Sequence, residues 1–204
     1  MDAGSFNAIQ LDVMREISNI GAGNACTALS VLLGTTIDMS VPGVHLLGYE
    51  STAEYFGGED SVVLGLKVDI TDDLSGMMVH VISKRFAERI INTFYEKHIE
   101  DISALDEMDT SVLNEMANIT SGAYANALAT LTGYFVNIGT PSQTTGTVAE
   151  VMMMPINKFV SPGEQLLVVD EIFTIEDEKI SSNMVMALDK ESMAKLFGKL
   201  GVEI

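Results

Sequence analysis

A disulfide within the chain is excluded by its single cysteine, Cys26, and a lone thiol suits a reducing compartment. No apolar run approaches the roughly 20 residues that span a bilayer. Met1–Ser5 has neither the basic start nor the apolar block of a secretory signal. Cytoplasm is the expected location. Basic residues are scarce too: 11 Lys and Arg stand against 29 Asp and Glu, a formal net charge of −18. Such a field repels nucleic acid and anionic membrane, so neither is an expected partner; it confers solubility and favours a partner with a basic face. The three histidines, His45, His80 and His98, have no ligand-spaced companions, and no metal site is expected. What remains is a 204-residue chain, 47% hydrophobic and 20% charged, able to bury a substantial core. The methionine run Met152-Met153-Met154 reads as core filler.

The chain repeats itself. Asp12–Pro42 aligns without gaps on Ser111–Pro141, an offset of 99. Ten of those 31 positions are identical: Val13/Val112, Glu16/Glu115, Asn19/Asn118, Ile20/Ile119, Gly23/Gly122, Ala28/Ala127, Leu29/Leu128, Leu32/Leu131, Gly34/Gly133 and Pro42/Pro141. A second match, at an offset of 106, sets Met78–Lys84 on Met184–Lys190. The expected organisation is one domain, 1–204, made of two repeats spanning 8–100 and 104–204. Each repeat reads as a long helix, Leu11–Leu33 or Leu105–Thr132, stopped by Gly34 or Gly133. A strand follows, Thr36–Val41 or Phe135–Ile138. Two further β-type stretches come next, Ser61–Asp69 and Gly76–Ile82 in one half, Gln165–Phe173 and Asn183–Leu188 in the other. An amphipathic helix closes each half, Arg85–Tyr95 or Lys190–Leu200. The expected fold class is α+β: helix–strands–helix units in a pseudo-twofold tandem repeat, sharing one mostly antiparallel sheet.

On a helical wheel with Asp12 at 0°, Glu16 falls at about 40°, Asn19 at about 340° and Gly23 at about 20°. These four residues share one stripe. Val13, Met14, Ile17, Ile20, Ala28 and Leu32 occupy a separate apolar arc, which is expected to face the core. The second helix repeats the plan, with Ser111, Glu115, Asn118 and Gly122 on the stripe. From Asn19 to Leu33 is about 21 Å of helix, and from Thr36 to Pro42 is about 20 Å of strand. A strand doubling back therefore brings Pro42 level with Asn19, and likewise Pro141 with Asn118.

The doubled pattern, Asp12-Glu16-Asn19-Pro42 and Ser111-Glu115-Asn118-Pro141, resembles the signature of the CheC/CheX/FliY phosphatases. The likeness covers nearly the whole chain, and two full copies fit the CheC branch. It implies hydrolysis of the aspartyl phosphate of a CheY-type chemotaxis response regulator, as a monomer. In that scheme Asn19 and Asn118 orient the attacking water, while Glu16 and Glu115 pair with the regulator's active-site lysine. Asp12 and Ser111 add partner contacts, and Pro42 and Pro141 shape the strand end beside each asparagine. No cofactor belongs to the chain itself; the regulator brings its own Mg²⁺. The family is also associated with the receptor deamidase CheD, so a non-catalytic adaptor binding the regulator or CheD is the alternative. A flagellar-switch role is weakened because the sequence lacks the extra C-terminal domain of FliY.

Other residues have plainer readings. Gly21 and Gly23 sit inside a helix with no preceding strand, which argues against a phosphate-cradling loop. Close core packing and the close approach of a docked partner at Gly23 and Gly122 both explain such glycines. Cys26, at about 320° on the wheel, has no His/Asp set to make it a nucleophile.

Overall fold

The computed structural model describes residues 7–159 and 165–202; the reading of Met1–Ser5 lies outside them. The first half runs α1 (Ala8–Leu33), β1 (Ile37–Ser40), β2 (Val44–Leu47), α2 (Tyr49–Tyr55), β3 (Val62–Asp72), β4 (Gly76–Ile82) and α3 (Lys84–Tyr95). A 3₁₀ turn at Ile102–Ala104 leads to α4 (Glu107–Thr132), β5 (Val136–Ile138), β6 (Ser142–Thr147), α5 (Val148–Phe159), β7 (Leu166–Ile175), β8 (Glu178–Leu188) and α6 (Lys190–Lys199).

Both long helices begin with a capping box, which satisfies backbone N–H groups that have no partner within the helix. In α1 the Asn7 side chain accepts from the Gln10 N–H at 2.9 Å, and the Gln10 Oε1 accepts from the Asn7 N–H at 2.8 Å. In α4, Asp106 and Asp109 make the same exchange at 2.9 and 3.1 Å. There Lys97 donates to both carboxylates, at 2.7 and 2.6 Å. Gly34 and Gly133 end the helices at φ 66° and 72°, a left-handed turn that a Cβ disfavours.

The strands form one eight-stranded sheet in the order β1-β7-β8-β4-β3-β5, with β2 also on β7 and β6 also on β3. All of these pairings are antiparallel. Exchanging β1 for β5, β7 for β3 and β8 for β4 reverses the order, so a pseudo-twofold passes between β4 and β8. The strands that follow each long helix therefore pair with the opposite half. Ile37 faces Ile175, and Ile138 faces Ile70. The halves interlock instead of standing side by side.

One face of the sheet packs on the long helices. Leu64, Leu66 and Ile82 meet Leu29, Leu113 and Met116 there, while Met78 and Met184 meet Met14, Ile17 and Leu128. The other face, with Val63, Val79, Val168 and Val185, is covered by α2 and α5 through Ala53, Val148, Val151 and Met152. Those two helices have no counterpart in the sequence reading. The shorter has only seven residues, and α5 carries Pro155 in its interior, which ordinarily signals a break. The methionine run follows from that helix: Met152 is buried, Met153 exposed and Met154 between them.

The apolar arc of α1 also needs correction. Ala28 is exposed, and Val13, Ile20 and Leu32 are only half-buried. Met14, Ser18, Ala22, Ala25, Leu29 and Leu33 are the buried series, with Ile17 and Gly21 beside them. Its spacing slightly exceeds the 3.6-residue turn, so the buried face drifts around the helix. The cause is the packing of α1 against α4. A Cβ built on Gly21 would lie 2.9 Å from the Tyr124 ring, so the helices touch where one has no side chain.

Four polar side chains lie buried beneath that contact. His80 Nε2 sits 2.9 Å from Ser121 Oγ, and the Tyr124 hydroxyl donates to Glu171 Oε1 at 2.9 Å. Burial pushes His80 down to about 4 and Glu171 up to about 7.

Candidate active site

The stripe on α1 is open to solvent: Asp12, Glu16, Asn19 and Gly23 are all exposed. On α4, Ser111 and Glu115 are exposed, whereas Asn118 and Gly122 are half-buried. Neither asparagine is sealed beneath its neighbours.

Around α4 the sequence-derived set comes together. Ser111, Glu115, Asn118 and Pro141 line one open concavity of ≈ 460 Å³, with Glu107, Thr110, Asn114 and Thr140 completing its wall. The Asn114 amide donates to Gln143 Oε1 at 3.4 Å, linking helix to strand along that wall. Sequence reasoning missed these four added residues. Three of them lie on α4 up to a quarter-turn from the stripe, and only the return of the chain through Thr140 and Pro141 closes the hollow.

The return strand on α1 is fixed differently. Ser30 Oγ accepts from the Ile37 N–H at 2.9 Å, and Cys26 Sγ accepts from the Met39 N–H at 3.2 Å. Four residues of helix thus match two of strand. Continued, that step sets Pro42 level with residue 20, beside Asn19. Cys26 is a backbone clamp. Its repeat partner is Ala125, and that of Ser30 is Ala129, so β5 has no such clamp. There Asp73 accepts from the Phe135 N–H at 2.8 Å instead, and Asn137 donates to Asp72 at 2.7 Å.

The two ridges are unequal in charge as well. Arg15 pairs with Asp12 at 2.6 Å, where the second ridge has neutral Asn114 and Ser111. An exposed pair of this kind contributes only about 0–1 kcal/mol, so a docking partner can displace it. Asp12 is nevertheless less available than its sequence position suggests.

The glycines separate clearly. A Cβ on Gly23 would meet nothing within 4 Å, and one on Gly122 only Ile138 Cδ1 at 3.7 Å. Core packing therefore explains Gly21 but neither ridge glycine. Gly21→Ala is expected to lower the melting temperature. Gly23→Ala is expected to raise it, since alanine favours a helix interior by about 1 kcal/mol. Equal shifts of the same sign in thermal denaturation would overturn that contrast.

Among the described residues, no group of three or more His, Cys, Asp or Glu side chains is placed to hold a metal ion. No helix among them is long and apolar enough to cross a membrane.

Comparison with known proteins sets the geometry in a family. The sequence profile of the CheC-like family matches residues 9–46 and 108–143, two stretches whose starts are again 99 residues apart. The chain is 34% identical to the CheY-P phosphatase CheC of Bacillus subtilis, covering 98% of this chain and 99% of that protein. Its fold is shared with the crystal structure of Thermotoga maritima FliY, at a TM-score of 0.76 and 24% identity over 96% of this chain and 98% of the other. It is shared also with the FliM middle domain of Helicobacter pylori, at 0.69 and 13% identity over 95% and 99%. With that identity holding end to end and the repeated Glu-x-x-Asn ridge on both long helices, the chain belongs to the CheC-like family.

Proposed function

We propose that the chain hydrolyses the aspartyl phosphate of a CheY-type response regulator by positioning the attacking water. The observation that carries this reading is the gathering of Ser111, Glu115, Asn118 and Pro141 around one open hollow, with the same residue plan on α1. An aspartyl phosphate is an activated acyl phosphate, so the barrier that remains is largely one of alignment. A carboxamide suits that task, because it both donates and accepts hydrogen bonds without taking up the proton. Asn19 or Asn118 holds the water in line. Its oxygen bonds to phosphorus, the bond from phosphorus to the aspartate oxygen breaks, and the water's proton leaves with phosphate or to solvent. Mg²⁺ and lysine belong to the regulator, where Glu16 or Glu115 pairs with the lysine and sets the register. Asp12 and Ser111 contact the partner one turn earlier. Gly23 and Gly122 let it approach the helix backbone, which accounts for glycines that the fold does not require.

We take the chain to work as a monomer in the cytoplasm. The alternative, an adaptor toward the regulator or CheD, predicts docking without phosphate release. The test is the decay of a phosphorylated CheY-type regulator with and without the chain. Saturable acceleration supports the reading; unchanged decay sinks it. The two sites should also differ. Asn118 is half-buried in a walled hollow and so is better oriented than exposed Asn19. Asn118→Ala is expected to remove more than half of the turnover and Asn19→Ala less than half. The reverse ranking in steady-state assays would contradict that assignment.

A further inference from the structure

Both ridges extend one turn beyond the residues so far assigned. Ile9 and Met108 are repeat partners at the offset of 99, and each is the second residue of its helix. Both are large apolar side chains left exposed, at 64% and 58%. On the wheel they lie about 60° from Asp12 or Ser111, next to Glu16 or Glu115. Folding gives no reason for them. The hydrophobic staple that steadies a helix start joins the residue before the cap to the fourth helical residue, and so bypasses the second. Yet each capping box holds this first turn in place, so the side chain is presented from a fixed backbone.

We infer that Ile9 and Met108 are docking residues, one per ridge, each covered by an apolar patch on the phosphorylated regulator when its aspartyl phosphate reaches Asn19 or Asn118. This rests on the phosphatase reading above. Three observations choose that occupant. The apolar residue recurs at the same repeat position on both ridges and on neither closing helix. It is continuous with the stripe: Ile9 lies about 15 Å along α1 from Asn19 and about 10 Å from Glu16. A docking footprint of about 800 Å² per partner reaches roughly 16 Å from its centre, so one partner covers both ends. Carboxylates flank each apolar residue, Asp12 and Glu16 on one ridge and Glu107 and Glu115 on the other. That arrangement matches a partner whose apolar contact lies beside basic groups, as the regulator's active-site lysine requires.

The test uses the full chain and a CheY-type regulator carrying beryllofluoride as phosphoryl mimic. Binding is measured in two single-site backgrounds that remove docking at the other ridge, Glu115→Lys for the α1 ridge and Glu16→Lys for the α4 ridge. Adding Ile9→Ser to the first and Met108→Ser to the second is expected to weaken Kd about fivefold, the scale of a moderate interface contact. In decay assays on the same chains KM should rise while kcat holds, the sign of binding lost equally from ground and transition states. Met153→Ser removes an equally apolar side chain, 40% exposed, from α5 on the opposite face of the sheet, and should leave Kd unchanged. A Kd within twofold of the parent for both ridge variants overturns the inference while leaving the phosphatase reading intact. Absence of any binding by the wild-type chain overturns both. Binding without accelerated decay removes the catalytic reading alone.

Discussion

With Asn19 and Asn118 both changed to alanine, dephosphorylation is expected to fall to the regulator's spontaneous rate while docking stays nearly intact. Neither amide supports the core: one is exposed and the other half-buried. Alanine is the stronger helix former, so the double variant should be at least as stable as the wild type. Glu16 and Glu115 remain to pair with the partner. What disappears is the group that keeps a water in line, and misplacing a reacting atom by an ångström costs on the order of 100-fold. The measurement is phosphate release at saturating chain, with a melting curve to exclude unfolding. Wild-type turnover in a folded double variant would refute the role given to the amides. Replacing Glu16 and Glu115 by glutamine should do the opposite, weakening docking while turnover at saturation changes less.

Much of this was legible in the residues because the chain states its plan twice. The offset of 99 located both long helices, and Gly34 and Gly133 marked their ends to the residue. The wheel placed Asp12, Glu16, Asn19 and Gly23 outside the core, as they are. Length matching put Pro141 beside Asn118, in the same hollow. The capping boxes, Asn7-x-x-Gln10 and Asp106-x-x-Asp109, could have been read from spacing and were missed. Other features have no local signal. Nothing near Ile37 tells that it pairs with Ile175, 138 positions further along the chain, because the exchange of strands is set by closure of the whole sheet. Ala28 counts as apolar on any wheel, yet the drift of α1 against α4 leaves it in solvent. His80, Ser121, Tyr124 and Glu171 come from β4, α4 and β7, and no periodicity links them. Gly23 is the instructive case: a glycine inside a helix stands out in the sequence, but only the space around its backbone separates packing from docking.

The buried cluster leads to the other large effect, Glu171→Gln. Glu171 is fully buried; Oε1 accepts from Tyr124, and Oε2 has no hydrogen-bond partner among the described residues, with His80 Nδ1 4.0 Å away. Across the strand pair, Ser182 Oγ is likewise unpaired. Desolvation raises Glu171 from 4.5 to about 7, so between those values the folded chain holds a proton that the unfolded chain has lost. Stability therefore falls as pH rises through that window. Desolvation moves His80 the other way, from 6.5 to about 4, and there stability rises with pH. In the wild type the two slopes oppose each other where they overlap. Glutamine keeps an oxygen for Tyr124 and removes the falling slope. Its advantage should be nearly absent at pH 4.5 and reach at most about 3.5 kcal/mol by pH 8, from roughly 1.4 kcal/mol per pKa unit. Urea denaturation of both chains at pH 5 and pH 8 measures it. A gap that is the same at both pH values, or a variant weaker at pH 8, would contradict the burial argument. Because Tyr124 remains bonded and seated on Gly21, the angle between the two ridges is kept, and the stabilised chain should turn over its partner at the wild-type rate.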